Sequence, residues 1–200
     1  MGAIFTSLGR TVAAGVVVLI VIVLVTAALS GDVIHLNHAW GAFFMRWLHI
    51  LSGVMWIGLL WYFNFVQTPT MPKIQPVESR SAVSKYIAPS ALFWFRYGAL
   101  ATVITGLLLA WMNDYIVDAL LLRKPYYPIG IGMWMALIMA FNVWFIIWPM
   151  QKKILGLVEA TAEEKAKAGP IALYASRFNT MFSIGMLYCM AAQSHGGFVS

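Results

Sequence analysis

Five long apolar segments, separated by short polar ones, dominate the pattern of the chain. They cover residues 11–30, 47–72, 86–113, 125–151 and 178–200. Each is long enough to cross a hydrocarbon layer of about 30 Å, which takes about 20 apolar residues. No strand-like alternation of polar and apolar positions is present, and a segment in lipid must satisfy its own backbone hydrogen bonds. The pattern therefore predicts about five transmembrane helices.

The composition supports this interpretation. Of 200 residues, 62% are hydrophobic and only 10% are charged, whereas a soluble domain carries about 25% charged residues. We predict an all-α integral membrane protein in which residues 1–200 form a single membrane domain. Residues 1–30 form a peripheral first helix, because this segment has almost no polar groups. Residues 40–197 form a four-helix bundle, because the later segments carry His, Arg, Asn and many aromatic residues.

The basic residues of the chain lie mostly in short loops, on alternate sides of the predicted spans. With the amino terminus inside, the inner side holds Arg10 and two basic loops around residues 73–85 and 152–167. The outer side holds only Arg46, Arg123 and Lys124. This asymmetry follows the positive-inside rule, and it explains the net charge of +6 without a nucleic-acid partner. We predict a multi-pass protein surrounded by membrane lipid, with its carboxyl terminus outside.

Some functional classes are excluded by what the apolar segments lack. They contain no Asp or Glu, which argues against a carboxylate-based proton pump. The one cysteine, Cys189, has no partner for a disulfide. The chain also has no C-x-x-C-H motif, so it attaches no c-type haem covalently.

All four histidines map to the outer half of the predicted membrane protein. Ionisable groups in a bundle are costly and are functional candidates by default, and imidazole is the usual axial ligand of haem iron and a common ligand of zinc or copper. His49 is the best candidate. Gly53, one turn inward, would let a flat macrocycle approach the backbone, and Arg46, one turn outward, would pair with a haem propionate. The alternative is a histidine bonded to a neighbouring helix, with Arg46 extended to lipid headgroups.

His195, at the end of the fifth segment, is the predicted second ligand. It lies shallower than His49, and the glycines at positions 196 and 197 would let it fold back. His35 and His38, in the first outer loop, are alternative metal ligands, or else they simply lie among the headgroups.

A second polar set lies in the inner half, and its members are Asn64, Gln67, Arg96, Asn142, Arg177 and Asn179. We interpret it as hydrogen bonding between helices, with a quinone or substrate pocket as the alternative. Residues 151–170 are predicted to form a short surface helix, with Thr161 as its N-cap and Glu164 at its third position.

Three patches, in order along the chain, resemble a known family. They are the motif Arg46-Trp47-Leu48-His49 with the following residues to 63, the segment 142–151 (NVWFIIWPMQ), and the segment 177–195, which begins RFNTMF and ends QSH. Together they resemble the membrane domain of bacterial urate hydroxylases, the urate-oxidase amino-terminal family. The first patch is also similar, more loosely, to haem-binding four-helix membrane proteins such as the bacterial membrane protoporphyrinogen oxidase and copper-resistance proteins.

The resemblance implies a bacterial inner (cytoplasmic) membrane, with the carboxyl terminus in the periplasm, and matches His49 and His195 as histidines of the site. Members of the family are longer and have a cytochrome c domain that these residues do not contain, and Phe178 stands where they tend to have histidine. We expect a protein that binds haem b, or a metal, and transfers electrons near the periplasmic face, with a periplasmic cytochrome c as partner. The alternatives are a cofactor-free accessory subunit of a larger redox or photosynthetic complex, and a urate- or porphyrin-oxidising enzyme.

Overall fold

Five long helices make up most of the protein. The computed structural model describes residues 2–31 and 33–196, without the side chains of Ser194 and His195. The helices are α1 (Leu8–Ser30), α2 (His38–Lys73), α3 (Val77–Met112), α4 (Tyr127–Ile154) and α5 (Ala162–His195). Short helices cover Gly2–Phe5 and Ile116–Leu120. No strand occurs among these described residues, which confirms the all-α prediction.

Helices α1 to α4 are long and apolar enough to cross a membrane. Their length and composition agree with four of the five predicted spans, and α2 and α3 each begin nine residues before the predicted start. Helix α5 has 34 residues but does not belong to this set, because polar residues such as Arg177 and Asn179 interrupt its apolar stretch.

The chain divides into two compact units, one up to Gly41 and one from Ala42 onward. In the first unit, no residue of α1 is buried. Gly31 ends this helix with a φ of +70°. Glycine adopts this left-handed conformation without steric cost.

In the second unit, helices α2 to α5 form a bundle around one apolar core. Trp56, Phe95 and Val143 are among its fully buried side chains. Helices α2 and α3 approach closely at Gly98, where a Cβ atom would lie 3.3 Å from the backbone nitrogen of Trp56. The core cluster consists of Trp56, Ile57, Leu60, Leu92, Phe95, Ala99, Ala136, Met139, Val143, Ile147 and Met186.

Polar side chains join the helices inside this core. The amide of Asn142 donates to Oδ1 of Asn179 over 2.9 Å, and the amide of Asn179 donates to the carbonyl of Met139, also over 2.9 Å. Both asparagines are buried. The expected partner of Asn142 on another helix is therefore confirmed. Buried polar groups in a bundle are satisfied in this way because lipid offers no partner.

Three of the long helices widen into a π-helical turn, in each case two residues before a proline. These turns are Tyr62–Gln67, Val83–Ile87 and Asn142–Ile147, and the prolines are Pro69, Pro89 and Pro149. A proline lacks the N–H that would bond four residues back and clashes with that carbonyl. The wider turn accommodates this conflict without ending the helix.

Helix α5 begins with the predicted cap. The side chain of Thr161 accepts from the backbone N–H of Glu164 over 3.2 Å, and the Glu164 carboxylate accepts from the backbone N–H of Thr161 over 2.9 Å. The prediction of a separate short surface helix was wrong. The helix that starts here continues through Pro170 to His195, because Ala168 and Ala172, on either side of the proline, are buried against the bundle.

Candidate functional site

The imidazole of His49 is held between α2 and α3 by a hydrogen bond to the main chain. Its Nδ1 lies 2.9 Å from the carbonyl oxygen of Thr102 and 3.3 Å from Oγ1 of Thr105. A carbonyl oxygen can only accept, so this bond places the proton on Nδ1. The Nε2 atom then keeps its lone pair. A histidine that ligates a metal is usually oriented in this way through its other nitrogen.

Gly106 makes room for this ring. A Cβ atom at position 106 would lie 2.8 Å from Cε1 and 3.1 Å from Nδ1 of His49. Real Cβ atoms do not approach other atoms this closely, so any larger residue would displace the imidazole. Gly106 follows Thr105 by one position, and the two residues together form the surface of α3 on which the ring rests.

A cavity of about 880 Å³ opens beside His49. Its volume lies within the range of about 300–1,000 Å³ that is typical of small-molecule and cofactor sites. Most of the wall is apolar, with a few polar groups at separate points. The lining residues are Arg46, His49, Ile50, Gly106, Leu109, Asn113, Tyr115, Tyr126, Ile129, Met133, Leu187, Met190, Ala191 and Gln193.

A smaller cavity of about 40 Å³ also borders His49. Met133, Met186 and Met190, from α4 and α5, line it together with Gly106. Met133 and Met190 border the larger cavity as well. The histidine therefore has apolar, polarisable surroundings on more than one side.

Arg46 and a pair of tyrosines are among the polar groups that line the larger cavity. The rings of Tyr115 and Tyr126 are stacked, with centroids 5.1 Å apart and an interplanar angle of 17°. Burial raises the pKa of the Tyr115 phenol, the positive charge of Arg46 lowers it, and Tyr126 raises it further. Arg46 and both tyrosines line this cavity, so the guanidinium and the two phenols face the same space.

Gly53 faces α3 rather than the cavity wall. A Cβ atom at this position would lie 4.0 Å from Cγ2 of Thr102, which is ordinary van der Waals contact. Gly53 thus lies on the side of α2 that packs near the hydrogen bond of His49. It lines neither of the two cavities beside the histidine. Its predicted role, to admit a macrocycle, stays a prediction.

His195 is the last residue of α5, and its side chain lies outside the described residues. Gln193, two positions earlier, lines the larger cavity, so the end of α5 reaches this space. Ligation by His49 and His195 together therefore stays a prediction.

His35 and His38, the alternative ligands, are both exposed. His35 lies in the irregular segment before α2, and His38 is the first residue of that helix. In the part of the chain that the structure describes, no three His, Cys, Asp or Glu side chains form a cluster that could hold a metal ion.

Several residues of the site could not be recognised in the sequence. Gly106, Tyr115 and Tyr126 are ordinary components of an apolar segment and a loop until the helices are packed together. The closest signal is the run Thr102-Val103-Ile104-Thr105-Gly106, where two hydroxyl side chains and a glycine interrupt an apolar span. Thr102 and Gly106 lie one turn apart and therefore share a face.

Comparison with known proteins supports one of the resemblances. Residues 127–199 match the family described as urate oxidase N-terminal. This match confirms the resemblance to that family and covers the second and third patches that carried it. No curated protein and no solved structure matches the chain.

Proposed function

We propose that this chain, whose residues 127–199 carry the urate oxidase N-terminal signature, is a bacterial inner-membrane protein that binds a b-type haem at His49 and transfers electrons near the periplasmic face. One observation carries the proposal. The Nδ1 atom of His49 is engaged by the Thr102 carbonyl, which leaves Nε2 as the ligating atom beside a cavity of about 880 Å³.

The residues around the cavity fit such a group. A neutral, oriented imidazole suits iron, a mostly apolar wall suits a macrocycle, and Arg46 is a guanidinium that matches a carboxylate. His195 would supply the second axial ligand from the end of α5. When bound, a haem supplies one-electron chemistry whose potential depends on the axial ligands, burial and hydrogen bonds. The chain itself holds the imidazole in one tautomer, and methionines form part of the apolar wall.

The membrane arrangement is part of the same proposal. Helix α5 would be the fifth span, with its apolar part beginning near residue 178. The amino terminus would face the cytoplasm, because the ends of α2, α3 and α4 that carry Lys73, Lys85 and Lys152 would then all lie inside. The cavity beside His49 would open near the periplasmic side, where a periplasmic cytochrome c is the electron partner.

A spectrum of the purified chain tests the proposal. A reduced-minus-oxidised difference spectrum should show Soret and alpha bands, and His49→Ala should lose them. The control is His38→Ala, an exposed position, which should leave the bands unchanged. The assignment would be contradicted if the wild type shows neither the Soret nor the alpha band. It would also be contradicted if the bands persist unchanged in His49→Ala.

The family match supports a second candidate function, oxidation of urate. The name of the matched family refers to that activity, and the cavity beside His49 is large enough for a planar molecule of this size. Incubation of the purified chain with urate, followed by the loss of urate absorbance, tests this. Turnover that depends on His49 would favour urate oxidation. No turnover in a haem-loaded protein would rule out urate oxidation and leave electron transfer as the only candidate function.

A further inference from the structure

At the other end of the bundle, one arginine is buried on an aromatic ring. Arg96 of α3 is only 9% exposed. Its guanidinium carbon lies 3.3 Å from the ring centroid of Trp148 and 5.9 Å from that of Trp144. Both of these tryptophans belong to α4. The arginine is thus folded against the neighbouring helix.

The donors of this guanidinium are not satisfied within the described structure. The Nε and Nη1 atoms of Arg96 are buried and have no hydrogen-bond partner, and the same is true of Nε1 of Trp144. A buried cation needs a partner, because the cost of its desolvation exceeds what one cation–π contact returns. In native structures such a group calls for an explanation, and an unseen ligand is one.

The described part of the chain offers Arg96 no paired carboxylate. Helices α2 and α4 contain no Asp or Glu, and the one acidic residue of α3, Glu78, forms no described ion pair with Arg96. Of the acidic residues at the start of α5, Glu163 is paired with Lys167 and Glu164 with Lys153. None of the ion pairs within residues 2–31 and 33–196 includes Arg96. Within the described residues, Arg96 therefore has no counter-charge from the chain itself, and a ligand from outside would supply one.

A second cation lies on the same ring. The Nζ atom of Lys152 is 5.8 Å from the centroid of Trp148, and no described ion pair includes it. One indole thus has a buried guanidinium and an ammonium group near the end of α4. The π-helical turn Asn142–Ile147 ends immediately before Trp148, so it determines where the ring is presented.

We propose that Arg96 and Lys152, held on the ring of Trp148, bind a phosphate-type oxyanion. Arginine presents its N–H groups in a planar fork that matches the oxygens of phosphate, and lysine adds a point charge. The oxyanion approaches at the small part of Arg96 that remains exposed, and the neighbouring side chains must shift for it to reach the buried Nε and Nη1 atoms. Its source is either the phosphodiester headgroup of a membrane lipid or a soluble phosphate. This site is separate from the cavity of His49 and does not depend on the function proposed there.

Binding measurements on the full-length protein in detergent test this site. Two probes are used: phosphatidylglycerol, followed by native mass spectrometry, and inorganic phosphate, followed by tryptophan fluorescence. The variants are Arg96→Gln and Lys152→Gln. The control is Lys85→Gln, because Lys85 also lies over an aromatic ring, 5.4 Å from the centroid of Tyr86. We expect each variant to bind the recognised probe at least about tenfold more weakly than the wild type, which is the factor of one charge-assisted hydrogen bond. The control should bind as the wild type does.

The two probes separate the two sources. Retention of phosphatidylglycerol that depends on Arg96 and Lys152 identifies a lipid headgroup, whereas a dependence seen only with inorganic phosphate identifies a soluble anion. If Arg96→Gln does not fold, Lys152→Gln and Arg96→Lys decide the matter. Arg96→Lys keeps both positive charges and loses only the planar fork, so it should bind more strongly than Lys152→Gln, which loses one charge. Equal binding by the wild type and Lys152→Gln with both probes, or no binding at all, overturns the proposal.

Discussion

The imidazole of His49 and the backbone of Gly106 are so close that no side chain fits between them, since a Cβ atom on Gly106 would lie 2.8 Å from Cε1 of the ring. The glycine belongs to α3 and the histidine to α2. The orientation of the candidate ligand is therefore determined by a residue on another helix, together with the carbonyl of Thr102.

A first prediction concerns this contact. Gly106→Ala should destabilise the protein relative to Gly58→Ala, because a Cβ atom at position 58 meets no atom within 4 Å. Both substitutions gain about 1 kcal/mol of helix propensity, so the comparison isolates the steric effect. Overpacking of this kind costs about 1–3 kcal/mol. Thermal unfolding in detergent measures the difference, and equal melting temperatures for the two variants would show that the ring moves aside without cost.

A second prediction concerns the asparagine pair of the core. Asn179→Ala removes the acceptor of Asn142 and the donor to Met139, so it should lower the free energy of unfolding by about 1–2 kcal/mol. The matched control is the neighbouring Thr180→Ala, since the Thr180 hydroxyl donates only to the carbonyl of Ser176 on its own helix. Unfolding by a denaturing detergent provides the measurement. A control that loses as much stability as Asn179→Ala would argue that the pair is not special.

A third prediction concerns the pH dependence of the start of α5. The backbone N–H of Thr161, and then Lys153, hold the pKa of the Glu164 carboxyl below its ordinary value of 4.5. A lowered folded-state pKa stabilises the protein above the unfolded-state pKa, and that contribution is lost as the pH falls through the folded-state value. Stability should therefore fall less steeply below about pH 4.5 in Glu164→Gln than in the wild type. A denaturation series from pH 7 to pH 3 measures this, and identical slopes would contradict it.

A fourth prediction concerns the tyrosine beside the cavity. Burial raises the pKa of Tyr115, whereas Arg46 lowers it. A raised folded-state pKa gives stability that is present below the unfolded-state pKa and is lost as the pH rises through the folded-state value. Arg46→Gln should move the ionisation of Tyr115 to still higher pH. The difference between alkaline absorbance titrations with and without Tyr115→Phe, in each background, isolates this phenol.

The opposite result would be informative in that experiment. If Arg46→Gln leaves the titration of Tyr115 unchanged, the guanidinium does not act on the cavity, and its assignment to a propionate loses its support. A control is provided by Arg123→Gln, because Arg123 is paired with Asp118 over 3.2 Å and does not line the cavity.

Sequence reasoning could find the helices and the cap of α5 because these are local properties. Apolar runs predict spans, and the spacing of Thr161 and Glu164 predicts a capping box. It could also select His49, since an ionisable residue in an apolar span is unusual. It could not find Gly106 or the tyrosine pair, because their proximity to His49 depends on how α3 and α4 pack against α2. The alignment of these helices along one another is a property of tertiary packing, and no single segment of the sequence determines it.

The extent of α5 was mispredicted for a related reason. Residues 151–170 were interpreted as containing a short surface helix, separate from the segment that follows Pro170. A proline in the interior of a helix removes one hydrogen bond but does not end the helix when the flanking residues pack. Ala168 and Ala172, on either side of this proline, are both buried.

The π-helical turns before Pro69, Pro89 and Pro149 have a consequence for how related sequences should be aligned. Each such turn contains one residue more than the α-helical hydrogen bonding would need, so the inward-facing positions on its two sides are out of phase by one. A relative that lacks one of these prolines can lack that extra residue too. The residues of that relative that correspond to His49 and Arg96 would then keep the same places in space. The number of residues between them along the chain would differ by one.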